Sequence, residues 1–271
     1  MKISLITPTF NQAEFLPQTL ESIRHQQDPS FEHVVIDAMS SDATPQILDS
    51  WAAETSARVV REPDTGQSNA INKGARLADG EIIGWLNSDD ILCHRALAAI
   101  RDGFLNNPEA VVVYGLGSRM NRAGEFVRTV PYREFSRSDL RTAFRVVQPA
   151  MFFRRDVFLK IGGLDEALRY AMDWELLIRL ADEGQVVSLP TEIARIRYYE
   201  ETITATGGWK RMREIAEIGR KYNGRWDPNY VSYSVRTAVA KLPGQFFKWA
   251  ADQFLWRAWR QRPVMVQGWP E

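Results

Sequence analysis

The side chains best suited to chemistry are two adjacent acids, Asp89 and Asp90, in the run Asn87-Ser88-Asp89-Asp90. They follow Ile82-Ile83-Gly84-Trp85-Leu86, an apolar stretch that reads as a buried strand. Carboxylates side by side at such a strand end repel each other unless they are solvated or neutralised. A divalent cation resolves the conflict, because Mg2+ or Mn2+ favours carboxylate, water and phosphate oxygens. Bridging these acids to a diphosphate, the ion would offset charge on a leaving group. The bland alternative is that Ser88, Asp89 or Asp90 caps the next helix. A third acid, Asp173, stands in Ala171-Met172-Asp173-Trp174-Glu175, where an amphipathic helix begins. It suits a general base that removes the proton of an attacking hydroxyl, and it equally suits a helix N-cap. Glu175, two positions on, points elsewhere on the helix and is the weaker base.

An alternation of strand-like and helix-like segments must position these acids. Lys2 to Thr7 is an apolar strand, and Glu14 to Gln27 carries Phe15, Leu16, Leu20 and Ile23 at helical spacing, with Asn11 as its cap. Val34-Val35-Ile36 is the next strand, and Ser41 to Pro45 opens a helix through Ile47, Leu48 and Trp51. Val59-Val60, the helix Ala70 to Ala78, the strand Glu81 to Leu86, a helix over His94 to Phe104 and the strand Ala110 to Tyr114 continue the pattern. Such alternation predicts a doubly wound α/β fold, a mainly parallel sheet flanked by helices. Ligands bind such sheets beyond the carboxyl ends of the strands. Those ends are Thr7 to Asn11, Asp37 to Asp42, Asp64 to Gln67 and Asn87 to Asp90, all polar and mostly acidic. The first strand-helix turn, Thr7 to Gln12, has no glycine, so a Rossmann oxidoreductase and a P-loop enzyme both fit poorly. A diphosphate bound here needs another source of positive charge.

Beyond Gly115 the pattern loosens. Met120 to Pro131 predicts a hairpin around Arg122-Ala123-Gly124, Gly162 to Asp165 a turn, and Asp173 to Asp182 a helix with Trp174, Leu177, Ile178 and Ala181 on one side. From Gly207 the chain reads as helical, which divides it into a first domain over residues 1–205 and a helical C-terminal extension over 206–271. Within the extension, Lys241 to Arg262 interleaves Phe247, Trp249, Phe254, Trp256 and Trp259 with Lys248, Arg257 and Arg260. That reads as a helix packed on the first domain or as an interfacial helix at an anionic membrane.

Composition narrows the class. The 271 residues are 45% hydrophobic and 25% charged, values that suit a globular protein with a core. Basic and acidic residues balance at 34 each, so no overall field favours nucleic acid as a partner. Cys93 is the only cysteine, which excludes an internal disulfide and a cysteine zinc cluster. No apolar run is long enough for a signal peptide or a bilayer span. The expectation is a cytoplasmic protein, with peripheral contact at the inner face of the membrane if the basic aromatic tail is interfacial.

These motifs, in order, resemble a family. Thr7-Pro8-Thr9-Phe10-Asn11, Val35-Ile36-Asp37, Asp64-Thr65-Gly66-Gln67-Ser68-Asn69-Ala70-Ile71-Asn72-Lys73-Gly74, Leu86 to Asp90, Gln148-Pro149-Ala150, Gly162 to Glu166 and Met172 to Leu176 are similar to the family-2 inverting glycosyltransferases of GT-A fold. The resemblance covers about residues 3 to 204. It implies a nucleotide-diphospho-sugar donor, a saccharide or lipid-linked acceptor, and work in surface polysaccharide or glycolipid synthesis. By position it implies that Pro8, Thr9 and Asp37 line the nucleoside pocket and that Asp64, Asn72 and Lys73 sit near the nucleotide. Asp89, with Asn87, stands at the motif for Mg2+ or Mn2+, and Asp173 at the catalytic base. Asn87 replaces an Asp, Met172 a Glu, Ala38 an Asp, and Tyr199 a His that completes the metal site in many members, with Glu200 as a candidate substitute. These departures leave a non-catalytic nucleotide-sugar-binding protein as the alternative.

Overall fold

The computed structural model describes residues 1–26, 28, 30–130, 136–142 and 146–224. The N-terminal half comprises β1 (Ile3–Thr9), α1 (Leu16–Arg24), β2 (Phe31–Asp37), α2 (Thr44–Glu54), β3 (Arg58–Arg61), α3 (Gln67–Leu77), β4 (Ile82–Trp85), β5 (Ile91–Leu92) and α4 (Ala96–Asn106). It is followed by β6 (Ala110–Met120), β7 (Phe126–Thr129), α5 (Arg137–Thr142), a short 3-10 turn, β8 (Met151–Arg154), α6 (Arg155–Lys160) and α7 (Met172–Glu183). The last described elements are β9 (Gln185–Arg197), α8 (Ile203–Thr206) and α9 (Gly208–Asn223).

The strands form one nine-stranded sheet in the order β3-β2-β1-β4-β8-β6-β9-β5, with β7 on the side of β6. The expected parallel, doubly wound part is β3-β2-β1-β4. Beyond β4 the sheet is mixed: β8 is antiparallel to both β4 and β6, and β6 runs parallel to β9. Two reversals restore the direction of β4, so the carboxyl ends of β1, β2, β4, β6 and β9 share one rim.

Period-two alternation sends neighbouring residues to opposite faces. Ile3, Leu5, Ile82 and Phe152 pack with α1, α2 and α4 through Leu20, Leu48, Leu97 and Phe104. Ile6, Ile83, Trp85 and Phe153 pack on the other face with α3, α6 and α7 through Ile71, Phe158, Leu176 and Leu180. The result is a three-layer α/β/α sandwich.

β9 was not legible in the sequence. Its register against β6 slips between Tyr114 and Leu116, opposite Pro190, where a proline cannot donate to a ladder. Gly115 permits this slip, since a Cβ there would stand 2.6 Å from the Thr191 carbonyl oxygen. The helix begun by α1 also differs from expectation, because Asn11 does not cap it. Phe15 is the N-cap and makes no side-chain cap bond, while Asn11 sits at φ 53° and accepts the Ser41 N–H at 2.8 Å, tying the β1 and β2 end loops together.

α9 is fastened to α7. Ile218 joins the Trp174 and Ile178 cluster, and Lys221 and Tyr222 both donate to the buried Glu175 carboxylate, which Arg179 also pairs at 2.7 Å. Among the described residues no helix is long and apolar enough to cross a membrane. The basic aromatic segment 241–262 lies outside them.

Candidate active site

The nucleoside-side residues meet where β1 and β2 end. Thr9 and Asp37 are register partners, as are Pro8 and Ile36. Asp37 is fully buried, and its Oδ1 accepts both the N–H and the hydroxyl of Ser40, at 3.1 and 2.5 Å. Its Oδ2 and the Thr9 hydroxyl oxygen are buried and make no hydrogen bond, and the Arg61 guanidinium stands 3.8 Å from Asp37 Oδ2. Buried polar atoms left unpaired are costly, so this pair is poised for a polar ligand. Phe10 and Met39, the next residues out on this rim, are more than half exposed. Nothing in the sequence singles them out as ligand contacts, and large apolar side chains left open at strand ends are the signal that reveals them.

The other expected nucleotide contacts are more local. Asp64 Oδ1 accepts the Gly66 N–H at 2.8 Å and shapes the turn into α3, where Gly66 holds φ 135°. Lys73 donates to the Pro63 carbonyl at 2.7 Å and pairs with Glu62 at 2.8 Å, so it braces the β3–α3 loop. Asn72 is buried and spends its amide on the turn before α7. It donates to the Leu164 carbonyl and to Glu166, and accepts the Leu164 N–H at 2.8 Å. Gly163, at φ 73°, passes close enough that a Cβ would stand 2.5 Å from the Asn72 oxygen.

The acids after β4 divide their work. Asp90 is buried; its Oδ1 accepts the Arg197 N–H at 2.9 Å and its Oδ2 accepts from Asn87 Nδ2 at 3.2 Å. Burial, and then the charge of Asp89, push its carboxyl well above the ordinary carboxylate range. Asp89 keeps an opening to solvent and accepts the Tyr199 hydroxyl at 3.1 Å. Burial also raises its carboxyl, against the stabilising Tyr199 bond and Arg197 charge. Asn87 donates also to Gln148 at 3.2 Å and accepts from Gln67 at 2.5 Å, so its amide is engaged at both ends. Arg197 has no visible role in the sequence because β9, which carries it, is not legible there. Its buried guanidinium donates to the Asp89 carbonyl at 2.8 Å, the Arg122 carbonyl at 2.7 Å and Gln18 at 2.6 Å.

Among the described residues no group of three or more His, Cys, Asp or Glu side chains could enclose a metal. Of the two acids after β4, Asp89 presents a partly open carboxylate and Asp90 does not. That donor set fits a Mg2+ or Mn2+ ion held mainly by phosphate and water oxygens, rather than one caged by protein.

Asp173 is the second position of α7; Ala171 is the N-cap, so the capping alternative fails. The Asp173 carboxylate accepts the adjacent Trp174 N–H at 2.8 Å. Its enclosure pushes the carboxyl up to about 6, opposed by that bond and the charge of Arg211 and assisted by Glu214. Glu214 of α9, a residue the sequence did not flag, accepts the N–H groups of Arg169, Tyr170 and Ala171 at 2.9, 2.6 and 2.6 Å. It thereby fixes the backbone entering α7.

The fold resembles that of S. aureus TarS 1-349 in complex with UDP-GlcNAc, with TM-score 0.69, 18% identity, and coverage of 95% of this chain and 81% of that one. It also resembles a mannosyltransferase, PcManGT from Pyrobaculum calidifontis, in complex with GDP-Man and Mn2+, with TM-score 0.63, 20% identity, and coverage of 97% and 76%. The mixed sheet with its flanking helices is thus a GT-A fold. The chain belongs to Glycosyl transferase family 2, whose pattern matches residues 4–162. In sequence it is similar to the PGL/p-HBAD biosynthesis glycosyltransferase of Mycobacterium bovis (strain BCG / Pasteur 1173P2), 30% identical over 203 residues that cover 73% of this chain and 76% of the relative.

Proposed function

We propose that this glycosyltransferase moves a sugar from a nucleotide-diphospho-sugar to an acceptor hydroxyl with inversion, in surface polysaccharide or glycolipid synthesis. The observation that carries the reading is Asp173, a carboxyl pushed up to about 6 at the start of a helix braced by Glu214. A base with that pKa is unprotonated at neutral pH yet basic enough to take a proton in the transition state. The hydroxyl oxygen forms the new bond to the anomeric carbon, its proton passes to Asp173, and the bond to the diphosphate oxygen breaks on the opposite face. Thr9 and Asp37, with Pro8 beneath them, receive the nucleoside, and the open atoms of Thr9 and Asp37 supply its polar contacts. Asp64 shapes the neighbouring loop, while Asn72 and Lys73 hold the framework around it.

Asp89 is the residue that would hold Mg2+ or Mn2+, with Asn87 holding Asp90 and Gln148 in place beside it. When bound, the ion supplies positive charge to the departing diphosphate. Residues 1–205 form the donor-binding domain, and the extension 206–271 begins with α9, whose Glu214 braces the backbone ahead of Asp173. The acceptor is a saccharide or lipid-linked glycan, and the enzyme works at the cytoplasmic side.

A thermal-shift panel of UDP-, GDP- and dTDP-sugars with and without Mn2+ tests the reading. A donor at a hundredfold excess over its Kd stabilises the fold by about 2.7 kcal/mol. No shift with any donor overturns the proposal. Donor binding with neither hydrolysis nor transfer under any metal establishes the non-catalytic alternative.

A further inference from the structure

We infer that Arg119, Arg128 and Arg211 form a seat for a phosphate group carried by the acceptor, beside Asp173. The inference rests on the reading of Asp173 as the base. Its observations come from the other half of the sheet than the one that receives the donor.

Arg119 near the end of β6 is the direct register partner of Arg128 on β7. Like charges directly opposite on adjacent strands destabilise a sheet. Both side chains are partly buried, which aggravates the cost. The Arg119 guanidinium lies over the Tyr198 ring, 5.4 Å from its centre, and its Nε is buried without a hydrogen bond. Among the described residues no acid pairs with Arg119 or Arg128. Nearby arginines in the β6–β7 turn and on β9 are treated differently. Arg122 pairs with Glu14 and Glu201, and Arg195 with Glu192. Burial, and then the charges of Arg128 and Arg211, push the Arg119 guanidinium below its ordinary value. Arg211 lies three residues before Glu214 on α9, whose carboxylate accepts the Ala171 N–H at the start of α7, so this arginine stands at the end of α7 that carries Asp173, and its charge acts on that carboxyl.

Guanidinium groups from three elements, two of them lacking acid partners, suit the planar, bidentate recognition of a tetrahedral anion. The orphaned atoms fit for the nucleoside lie on β1 and β2 and the open carboxylate on the β4 loop, whereas this cluster lies on β6, β7 and α9. A phosphate held there would direct a linked hydroxyl toward the end of α7 that carries Asp173, and the seat selects acceptors with a phosphate or phosphodiester near the reacting hydroxyl.

Calorimetric titration of the full chain with glycerol 1-phosphate, and with glycerol as the neutral control, tests this. It is run with and without saturating nucleoside diphosphate and Mn2+. The seat predicts that glycerol 1-phosphate binds and glycerol does not, and that nucleoside diphosphate leaves this binding in place. Arg119→Gln and Arg128→Gln should each weaken it by about tenfold or more, with nucleoside diphosphate affinity unchanged. Both variants should also melt above the parent in anion-free buffer, because the unpaired repulsion is gone. Displacement of glycerol 1-phosphate by nucleoside diphosphate overturns the inference and gives the arginines to the donor. Unchanged binding in both variants overturns it too. If no nucleoside diphosphate binds the parent chain, the proposed function fails instead; if nucleoside diphosphate binds and glycerol 1-phosphate does not, only the seat fails.

Discussion

Replacing Asp173 with Asn separates catalysis from stability, because the residue's enclosure sets both. The carboxyl stands at about 6 where the ordinary value is 3.8, a displacement of roughly two pH units, and burial is its largest cause. At 1.36 kcal/mol per unit, the fold pays about 3 kcal/mol to keep this group charged. A raised carboxyl stabilises the fold only while protonated. That contribution is complete below about pH 4, declines as pH rises, and is gone above about pH 6. Asn is neutral throughout and can still accept the Trp174 N–H that Asp173 now accepts at 2.8 Å. Asp173→Asn should therefore match the parent near pH 4 and exceed its stability by up to about 3 kcal/mol at pH 8. Transfer should fall by about 10²–10⁴-fold, the usual worth of a general base, and the acid limb that parent turnover shows near pH 6 should be absent from the variant. Urea midpoints from pH 4 to 8, with transfer rates on the same samples, measure all three. A variant no more stable than its parent at pH 8 would refute the burial argument. Undiminished turnover would refute the assignment of the base.

Two further substitutions probe the supports of the site. Asn87→Asp introduces the acid that the family resemblance implies at this position, yet it should weaken the protein by about 1–3 kcal/mol and not tighten Mn2+ binding. The Asn87 Nδ2 donates to Asp90 and Gln148, and a carboxylate there would face both acceptors; denaturant titration and Mn2+ calorimetry decide it. Glu214→Gln should lower turnover with the donor KM unchanged, since Gln cannot accept all three backbone N–H groups ahead of α7. It also removes a charge that helps raise Asp173, so the acid limb of the rate profile should move below pH 6, a shift that loss of packing alone would not produce.

The sequence disclosed what periodicity can carry. The parallel half of the sheet, its crossovers and its acidic rim followed from apolar runs broken by polar turns. The hairpin around Arg122 to Gly124 is present, between β6 and β7. β9 escaped because its ladder is interrupted opposite Pro190 and its residues are only partly buried, which blurs alternation. With β9 went Arg197, and with Arg197 the tie that orders the Asp89-Asp90 loop. Asn72 shows the converse limit. It stands in a motif whose neighbours face the rim, yet its partners lie about ninety residues away in the Leu164 turn. Nothing local in sequence reports such a contact.

Asp89 and Asp90 are chemically identical neighbours, and only the fold distinguishes them. Asp90 turns inward onto the Arg197 N–H and the Asn87 amide; Asp89 turns outward to the Tyr199 hydroxyl and solvent. A buried carboxyl needs donors, and an acid at position 87 would offer a third like charge instead. Asn87 is thus better understood as the donor that lets Asp90 be buried than as a weakened metal ligand. Burying Asp90 fixes the turn that presents Asp89, through an Arg197 that simultaneously grips the Asp89 carbonyl. The loss of one acid from the motif is therefore compensated in geometry rather than in charge, and the positive charge missing from the glycine-free first turn must come from elsewhere on the rim. In the proposed reading, an ion held by Asp89 and the diphosphate would supply it on the donor side, and Arg119 and Arg128, which pair with no acid among the described residues, would supply it on the acceptor side.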